Sequence, residues 1–306
     1  MIKLMLATLI KEPFNDKEWV FEVKWDGYRA LAFKTKKVEL LSRNEKSLNT
    51  RFPLIVKEIE KIPGTFILDG EIIVLEKGRS KFQLLQHSKQ EGTPTYCVFD
   101  ILQYNGIDLT ELPLIQRKEF LRKFLQKNPS PYLHFSQHIE KFGKRLFEQA
   151  KKKGWEGIIA KKKMSPYRST RSKEWLKIKT KMRQELVIGG FTQPRGSRKY
   201  FGSLLVGVYE KGLFVYAGHV GGGFNEKLLK EIYQKMIKLQ RKKCPFHIPP
   251  KPNSAVTWLQ PKLVCEVAFA EWTQDALMRQ PIFQGMREDK SAKEVTREKE
   301  WMNPSD

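Results

Sequence analysis

Glu22-Val23-Lys24-Trp25-Asp26-Gly27-Tyr28-Arg29 sets a lysine between a strand and a glycine turn, with acids on both sides. Trp19 to Val23 reads as a strand, and Glu22 and Lys24 fall on one side of it at period two. Asp26-Gly27 reads as a tight turn that carries Arg29 back toward Lys24. A lysine in a turn is ordinarily a solvated surface cation. In a cationic or desolvated pocket the same amine gives up its proton more easily and becomes a nucleophile. The surroundings decide between the two readings.

Working outward, Arg29 to Lys34 and Val38 to Ser42 form two further strands joined by Thr35-Lys36-Lys37. Phe52 to Ile62 reads as a helix from the spacing of Leu54, Ile55, Ile59 and Ile62, and Pro63-Gly64 stops it. Phe66 to Leu68 and Glu71 to Leu75 are strands around Asp69-Gly70, and Tyr96 to Leu102 is another. Basic helical stretches cover Leu114 to Gln126 and about Ile139 to Lys152. Trp155 to Lys161 and Glu174 to Lys179 close this half as strands. Beyond Thr180 to Gln184 the character changes. Short β segments follow at Glu185 to Phe191, Leu204 to Tyr209 and Leu213 to His219, with a glycine turn at Gly221-Gly222-Gly223. Asn225 caps a helix to about Gln240, and strands at Trp258-Leu259 and Leu263 to Ala270 finish the chain. Short strands with one helix predict a small β-barrel such as an OB-fold. The expected domains are 1–182 and 183–306.

The chain has 306 residues, 40% hydrophobic and 30% charged, enough apolar material for about two folded domains. Its net charge of +23 disfavours an enzyme of small cationic metabolites and favours a polyanionic partner, nucleic acid before an anionic membrane surface. The alternative is a basic surface that only solvates. Cys97, Cys244 and Cys265 are far apart, with no CxxC pair, so neither a disulfide framework nor a zinc knuckle is expected. No apolar run approaches the roughly 20 residues that span a bilayer, and the stretch Ile2 to Ile10 lacks a cleavage site. The expectation is a reduced, intracellular protein with no membrane association. The five histidines, His87, His134, His138, His219 and His247, show no metal-ligand spacing.

Other segments could carry chemistry. Glu71 and Glu156 each stand beside a glycine at the start of an apolar strand, in Asp69-Gly70-Glu71 and Trp155-Glu156-Gly157. Each alone reads as a surface acid; together they could hold a hard divalent cation through oxygen. In Trp175-Leu176-Lys177-Ile178-Lys179 the two lysines share one face and the two aliphatics the other. Like charges side by side repel unless an anion lies between them, so this spacing suits a phosphate. An exposed amphipathic strand is the plainer reading.

Taken in order, these segments resemble the motifs of the covalent nucleotidyltransferases, the family of ATP-dependent DNA ligases, RNA ligases and capping enzymes. Lys24, Asp26, Gly27 and Arg29 match its Lys-x-Asp-Gly-x-Arg signature. Leu41-Ser42-Arg43-Asn44, Asp69-Gly70-Glu71, Tyr96 to Asp100, Glu156 to Lys161 and Trp175 to Lys179 match the motifs that follow. Arg279 to Phe283 and Arg287-Glu288-Asp289-Lys290 look like the last. Met5 to Leu9, Glu18 to Lys24, Phe82 to Gln86 and Tyr167 to Lys179 are similar to the ligase module of bacterial non-homologous end-joining DNA ligases.

The resemblance implies an α+β chain: a nucleotidyltransferase (adenylation) domain of antiparallel sheets with flanking helices, then a β-barrel OB-fold domain. It implies that Lys24, with Asp26 beside it, attacks the α-phosphate of ATP to form a lysine–AMP phosphoramide. AMP then passes to a 5′-phosphate, and a 3′-hydroxyl displaces it. At neutral pH an ordinary lysine is about a thousandfold short of free amine, so the site must lower its pKa. Glu22 and Val23 are implied beside the adenine, Glu22 through its backbone, with Phe99 stacked on the base. Arg29 and Arg43 are implied on ribose or phosphate. Glu71 would contact ribose or a metal water, and Glu156 would hold the metal, Mg²⁺ or Mn²⁺. Lys161, Arg171, Lys177 and Lys179 complete the nucleotide contacts. Arg279, Arg287, Asp289 and Lys290 would orient the departing pyrophosphate before the second domain swings away. The implied substrate is nicked or broken duplex DNA, clamped through its phosphates. The implied setting is the bacterial cytoplasm or nucleoid. A monomer with a Ku-like end-binding partner and repair polymerase or nuclease modules is expected there. An RNA ligase and a GTP-using capping enzyme share much of the signature. A basic OB-fold binding protein is the rival without catalysis.

Overall fold

Alternating apolar and polar residues build the first half of the chain into two sheets. The computed structural model describes residues 3–76, 78–80, 82–85, 92–252 and 254–298, so Gln86 and His87 lie outside the described residues. Contacts divide the chain into two units that part between Thr180 and Lys181, the second running Lys181–Glu298.

The first unit contains β1 (Leu6–Leu9), β2 (Asp16–Val23), β3 (Tyr28–Lys34), β4 (Val38–Ser42), α1 (Pro53–Lys61), β5 (Phe66–Ile73), β6 (Leu75–Glu76), β7 (Arg79–Ser80), β8 (Thr95–Tyr104), β9 (Ile107–Asp108), α2 (Leu114–Lys127), β10 (Leu133–Phe135), β11 (His138–Lys141), α3 (Gly143–Lys153), β12 (Gly157–Lys162) and β13 (Arg171–Lys179). A five-stranded sheet runs β1-β13-β12-β2-β11, and a six-stranded sheet runs β10-β8-β5-β3-β4 with β9 on β8. Met5, Val20 and Trp175 from the first pack against Leu31, Ile67 and Leu102 from the second. On the outer face of the five-stranded sheet, Leu146, Phe147 and Ala150 of α3 cover Phe21, Ile158 and Ile178. On the outer face of the six-stranded sheet, Ile55 and Ile59 of α1 and Leu121 and Leu125 of α2 cover Ala30, Leu68 and Val98.

Three expectations need correction. The sheets are mixed, because β1–β13 and β8–β10 pair in parallel. Both β1 and β10 are short edge strands reached through long connections rather than hairpins. Asp69-Gly70 does not separate two strands: Phe66–Ile73 is continuous. Glycine is required there by close approach, since a Cβ on Gly70 would stand 2.6 Å from both the Cys97 carbonyl oxygen and the Tyr96 ring. The helix expected from Ile139 starts at Gly143, because Ile139 belongs to β11 and pairs with Phe21. Lys141 at φ 66° breaks the chain between them.

The second unit contains β14 (Met182–Thr192), β15 (Leu204–Glu210), β16 (Leu213–Val220), α4 (Glu226–Met236), β17 (Gln240–Arg241), β18 (Val256–Leu259), β19 (Val264–Phe269) and β20 (Ile282–Met286). Its sheet runs β16-β15-β14-β18-β17, with β14 also pairing β19 and β19 pairing β20. A bridge between Gly222 and Ile282 returns β20 toward the segment just after β16. Asn225 caps α4 as its sequence predicts, accepting from the Leu228 backbone N–H at 2.8 Å. Among the described residues, no helix is long and apolar enough to cross a membrane.

Candidate active site

Lys24 stands one residue beyond β2 and is held at both ends by the start of β12. Its backbone N–H donates to the Gly157 carbonyl at 2.9 Å. Its Nζ lies 2.5 Å from Glu156 Oε2, with 20% of the lysine side chain exposed and 5% of the glutamate. Thr180 steadies that corner from the other side, donating its hydroxyl to the Trp155 carbonyl at 2.7 Å. The nucleophile candidate is thus anchored yet open to a ligand, as a surface turn lysine is not.

Strand register builds the rest of this face. Val23 pairs with Ile158 and Gly157 with Lys179, which puts Lys24, Gly157 and Lys179 in one row across the sheet. Residues in one row point the same way. The next rows on this face are Glu22–Ile159–Lys177 and Val20–Lys161–Trp175. Gly157 leaves the space between Lys24 and Lys179 clear. It must be glycine, because a Cβ there would meet the Ile178 carbonyl oxygen at 2.1 Å. Leu176 and Ile178 are buried on the opposite face while Lys177 and Lys179 stay partly exposed, the alternation the sequence predicts.

The six-stranded sheet presents the facing residues. Arg29 pairs in register with Glu71, and Leu31 with Asp69. The Arg29 guanidinium forks onto the wholly buried Asp69 at 3.0 and 2.6 Å. Asp69 therefore directs the guanidinium. Tyr167 donates its hydroxyl to Asp69 at 2.8 Å and accepts from the Met5 backbone N–H at 3.0 Å. Burial alone would lower the Arg29 pKa, but Asp69, Tyr167 and Glu71 outweigh it and raise it above its ordinary value. Arg29 lies 5.2 Å over the Phe99 ring and 5.7 Å over Trp175, which joins the two sheets. Asp26 is nearly buried and its backbone N–H donates to Ser80 Oγ at 3.0 Å.

Between these sheet faces Glu22 and Lys161, both named from the sequence, meet Lys118, which sequence reasoning missed. The Glu22 carboxylate is 2% exposed. Its Oε1 lies 2.9 Å from Lys118 Nζ and 3.0 Å from Lys161 Nζ, and its Oε2 accepts from Ser136 at 3.1 Å. Trp25 Nε1 donates to the same Ser136 hydroxyl at 3.1 Å. Burial pushes the Glu22 carboxyl up, but the two ammonium groups overcome it and hold it below the usual carboxylate range. Lys161 is fully buried, 4.2 Å over both Phe99 and Trp175. Its approach to Glu22 is an ion pair off the hydrogen-bonding line, so its Nζ has no aligned acceptor. Burial lowers its pKa to about 8, with Glu22 opposing and Lys118 adding to the fall. A signal for Lys118 was present: Leu114, Arg117, Lys118, Leu121 and Leu125 make one buried stripe of α2 at helical spacing. Arg117, wholly buried, forks onto Asp100 at 2.8 and 2.9 Å.

Other expected residues fall elsewhere. The ladder parity set by Lys24 N–H to Gly157 O turns the Glu22 main chain toward Ile159, so it is spent in the sheet. The Val23 main chain points to the other edge, where β11 begins only opposite Glu22. Arg43 sits partly exposed in the turn after edge strand β4. Arg171 holds the Ala7 carbonyl at 2.6 Å, six residues and roughly 20 Å along β13 from Lys177. In the second unit, Arg279 makes an exposed pair with Glu271 at 2.7 Å. Arg287 is enclosed by Asp289 at 2.9 Å, Glu266 at 3.4 Å and Glu185 at 4.0 Å, and Lys290 lies 2.9 Å from Glu185. Burial pulls the Glu185 carboxyl up, but Lys290 and Arg287 hold it down at about 2. These residues form an internal ion network of that unit. Among the described residues, no group of three or more His, Cys, Asp or Glu gathers as a metal cluster.

The family model of the ATP dependent DNA ligase domain matches residues 4–179, and that of the ATP dependent DNA ligase C terminal region matches residues 197–290. The chain is 38% identical over 305 residues to the multifunctional non-homologous end joining protein LigD of Pseudomonas aeruginosa, covering 96% of this chain and 36% of that protein. It is 33% identical over 288 residues to the multifunctional non-homologous end joining DNA repair protein LigD of Mycobacterium tuberculosis, covering 92% of this chain and 38% of that protein. It thus spans little more than a third of the length of either relative. Among solved structures it resembles a mycobacterial DNA ligase D complexed with ATP and MES, with a TM-score of 0.73 at 31% identity, covering 97% of this chain and 98% of that one. The ligase domain from M. tuberculosis LigD gives a TM-score of 0.55 at 32% identity, covering 97% of this chain and 98% of that one. With a family model over more than half its length, and relatives above 30% identity across nearly all of it, the chain belongs to the ATP-dependent DNA ligase family.

Proposed function

We propose that this chain seals 5′-phosphate and 3′-hydroxyl ends of duplex DNA, with Lys24 as the residue that carries AMP between ATP and the DNA. The row Lys24–Gly157–Lys179, with Glu156 on the Lys24 ammonium, is the observation that carries the reading. Glu156 is a base in contact with the amine that must lose a proton. The freed amine attacks the α-phosphorus and forms the N–P bond as the bond to pyrophosphate breaks. Lys177 and Lys179 face the charge that develops on the α-phosphate oxygens, and their fixed placement stabilises it without reorganisation. Arg29, aimed by Asp69, contacts the ribose or phosphate, and Phe99 gives the base an aromatic face. The 5′-phosphate then displaces Lys24 from the AMP phosphorus. Finally the 3′-hydroxyl attacks the DNA 5′-phosphate and AMP leaves.

Glu71 and Glu156 fit a hard divalent cation by donor chemistry, one or two carboxylates beside substrate phosphates being the usual Mg²⁺ setting. Bound there, the ion would neutralise phosphate charge. The residues through Thr180 serve as the adenylation domain. The second unit serves as an OB-fold, a reading supported by its short strands, single described α-helix and the Gly222–Ile282 bridge. The LigD relatives' names point to non-homologous end joining as the wider setting, and an end-binding protein of the Ku kind is the partner that setting implies.

The test is a duplex carrying one 5′-phosphorylated nick, incubated with ATP and Mg²⁺ and resolved on a denaturing gel. Sealing of the DNA nick, weakening steeply with salt because phosphates dominate binding, is expected. Sealing confined to an RNA nick, or none with a pre-adenylated enzyme, would overturn it.

A further inference from the structure

Lys118 is 1% exposed, yet it lies among aliphatic residues on the inner stripe of α2. A buried ammonium is expensive, and an apolar side chain of similar volume often serves the fold as well or better. Its contacts show what a hydrocarbon could not do. Nζ reaches Glu22 Oε1 of β2 in the five-stranded sheet at 2.9 Å. It also makes longer contacts at 3.4 Å to the main-chain carbonyls of Phe99, in β8 of the six-stranded sheet, and Ser136. It lies 4.8 Å over the Phe135 ring. One amine therefore ties the two sheets together at the floor of the cleft.

The tied atoms matter. Glu22 immediately precedes Val23, whose main chain lies where the β2–β11 ladder ends, and Phe99 supplies the aromatic face. We propose that Lys118 is a positioning residue that sets the spacing between the Val23 main chain and the Phe99 ring, and so the width of the slot that takes the adenine of ATP. This rests on the base lying against Phe99, as proposed above. Lys118 makes its contacts with Glu22, Phe99, Ser136 and Phe135 rather than with Lys24, so its loss should weaken nucleotide binding more than the chemical step.

The experiment measures the rate of lysine–AMP formation against ATP concentration, with thermal unfolding in parallel. Lys118→Met keeps the length and removes the donors. Its expected effect is an apparent KM raised about tenfold or more, as for loss of a charged hydrogen bond, with the maximal rate within about threefold of wild type. A KM within about twofold of wild type, in a folded variant, overturns the proposal. Should Lys118→Met fail to fold, Glu22→Gln/Lys118→Met also removes the carboxylate that has lost one of its two ammonium partners. Glu22→Gln alone, which keeps an acceptor for Lys118, is its reference. A role in charge balance alone predicts that the double variant regains the reference KM, and that result would also overturn the proposal. A KM still raised about tenfold over the reference supports positioning. Phe99→Ala separates the two levels. If it raises KM and Lys118→Met does not, only the Lys118 inference fails. If neither does, the placement of the base itself fails.

Discussion

Asp69→Asn should cost the first unit about 3 kcal/mol. Asp69 is fully buried and receives Arg29 Nε at 3.0 Å, Arg29 Nη2 at 2.6 Å and the Tyr167 hydroxyl at 2.8 Å. An asparagine has one acceptor oxygen for these donors. If its NH₂ replaces Oδ2, it faces both Nη2 and Tyr167; if it replaces Oδ1, it faces Nε. Either rotamer sets a donor against a donor and leaves a buried guanidinium without its counter-charge. Breaking such a pair costs about 3–5 kcal/mol, and the lower end applies because Arg29 keeps 18% side-chain exposure. For a domain of this size that is a fall in Tm of about 6–12 °C. The assay is chemical denaturation followed by tryptophan fluorescence, run beside Asp69→Asn/Arg29→Met, which removes the orphaned charge. The double variant should recover most of the loss, a coupling that a change of side-chain shape alone would not give. A single-variant loss below about 1 kcal/mol would refute the claim that Asp69 is what holds Arg29.

The remaining expectations concern charge and backbone space. Lys161 has its pKa lowered from 10.5 to about 8 when folded. Between those values the unfolded chain holds the proton and the folded chain does not, so stability attributable to this residue rises with pH across the window. The stability of wild type relative to Lys161→Met should therefore climb from pH 8 toward 10.5; a flat or falling difference would count against its burial as an ammonium. Gly157→Ala puts a Cβ 2.1 Å from the Ile178 carbonyl oxygen and 2.9 Å from Lys179 Cα, both backbone. It should destabilise by more than about 3 kcal/mol in denaturant titration, and a loss under about 1 kcal/mol would contradict the row that joins Lys24 to Lys179.

The parts of the fold that could be read ahead were those where period and chemistry agree. Leu176 and Ile178 alternate with Lys177 and Lys179, and Asn225 caps a helix with one apolar face. The misreadings share one cause, a local signal overridden by a distant contact. Gly70 reads as a turn until Tyr96 and Cys97 press against it. Ile139 fits a helical stripe until Phe21 pairs with it. The site divides in the same way. Arg29, Glu71 and Phe99 lie on the inner side of the six-stranded sheet, and Lys24, Lys177 and Lys179 on the facing side of the five-stranded one, with Glu156 on Lys24. Lys118 stayed hidden because a lysine in a basic helix reads as solvated, and only the stripe through Leu114, Leu121 and Leu125 turns it inward. Arg287, Asp289 and Lys290 read as pyrophosphate contacts, but Glu185 and Glu266 engage Arg287, Glu185 engages Lys290, and Asp289 pairs with Arg287. That pairing follows from the β14–β19 register, in which Glu185 lies opposite Glu266, and no linear motif announces it.

The most direct measurement is the intact mass of the protein after incubation with ATP and Mg²⁺, from enzyme first stripped of AMP with pyrophosphate, on wild type and Lys24→Ala. The account predicts a gain of one AMP on wild type, its loss in Lys24→Ala, and no comparable adduct from GTP or NAD. An AMP adduct that survives in Lys24→Ala would place the nucleophile elsewhere. No adduct on folded wild-type protein would contradict the covalent mechanism.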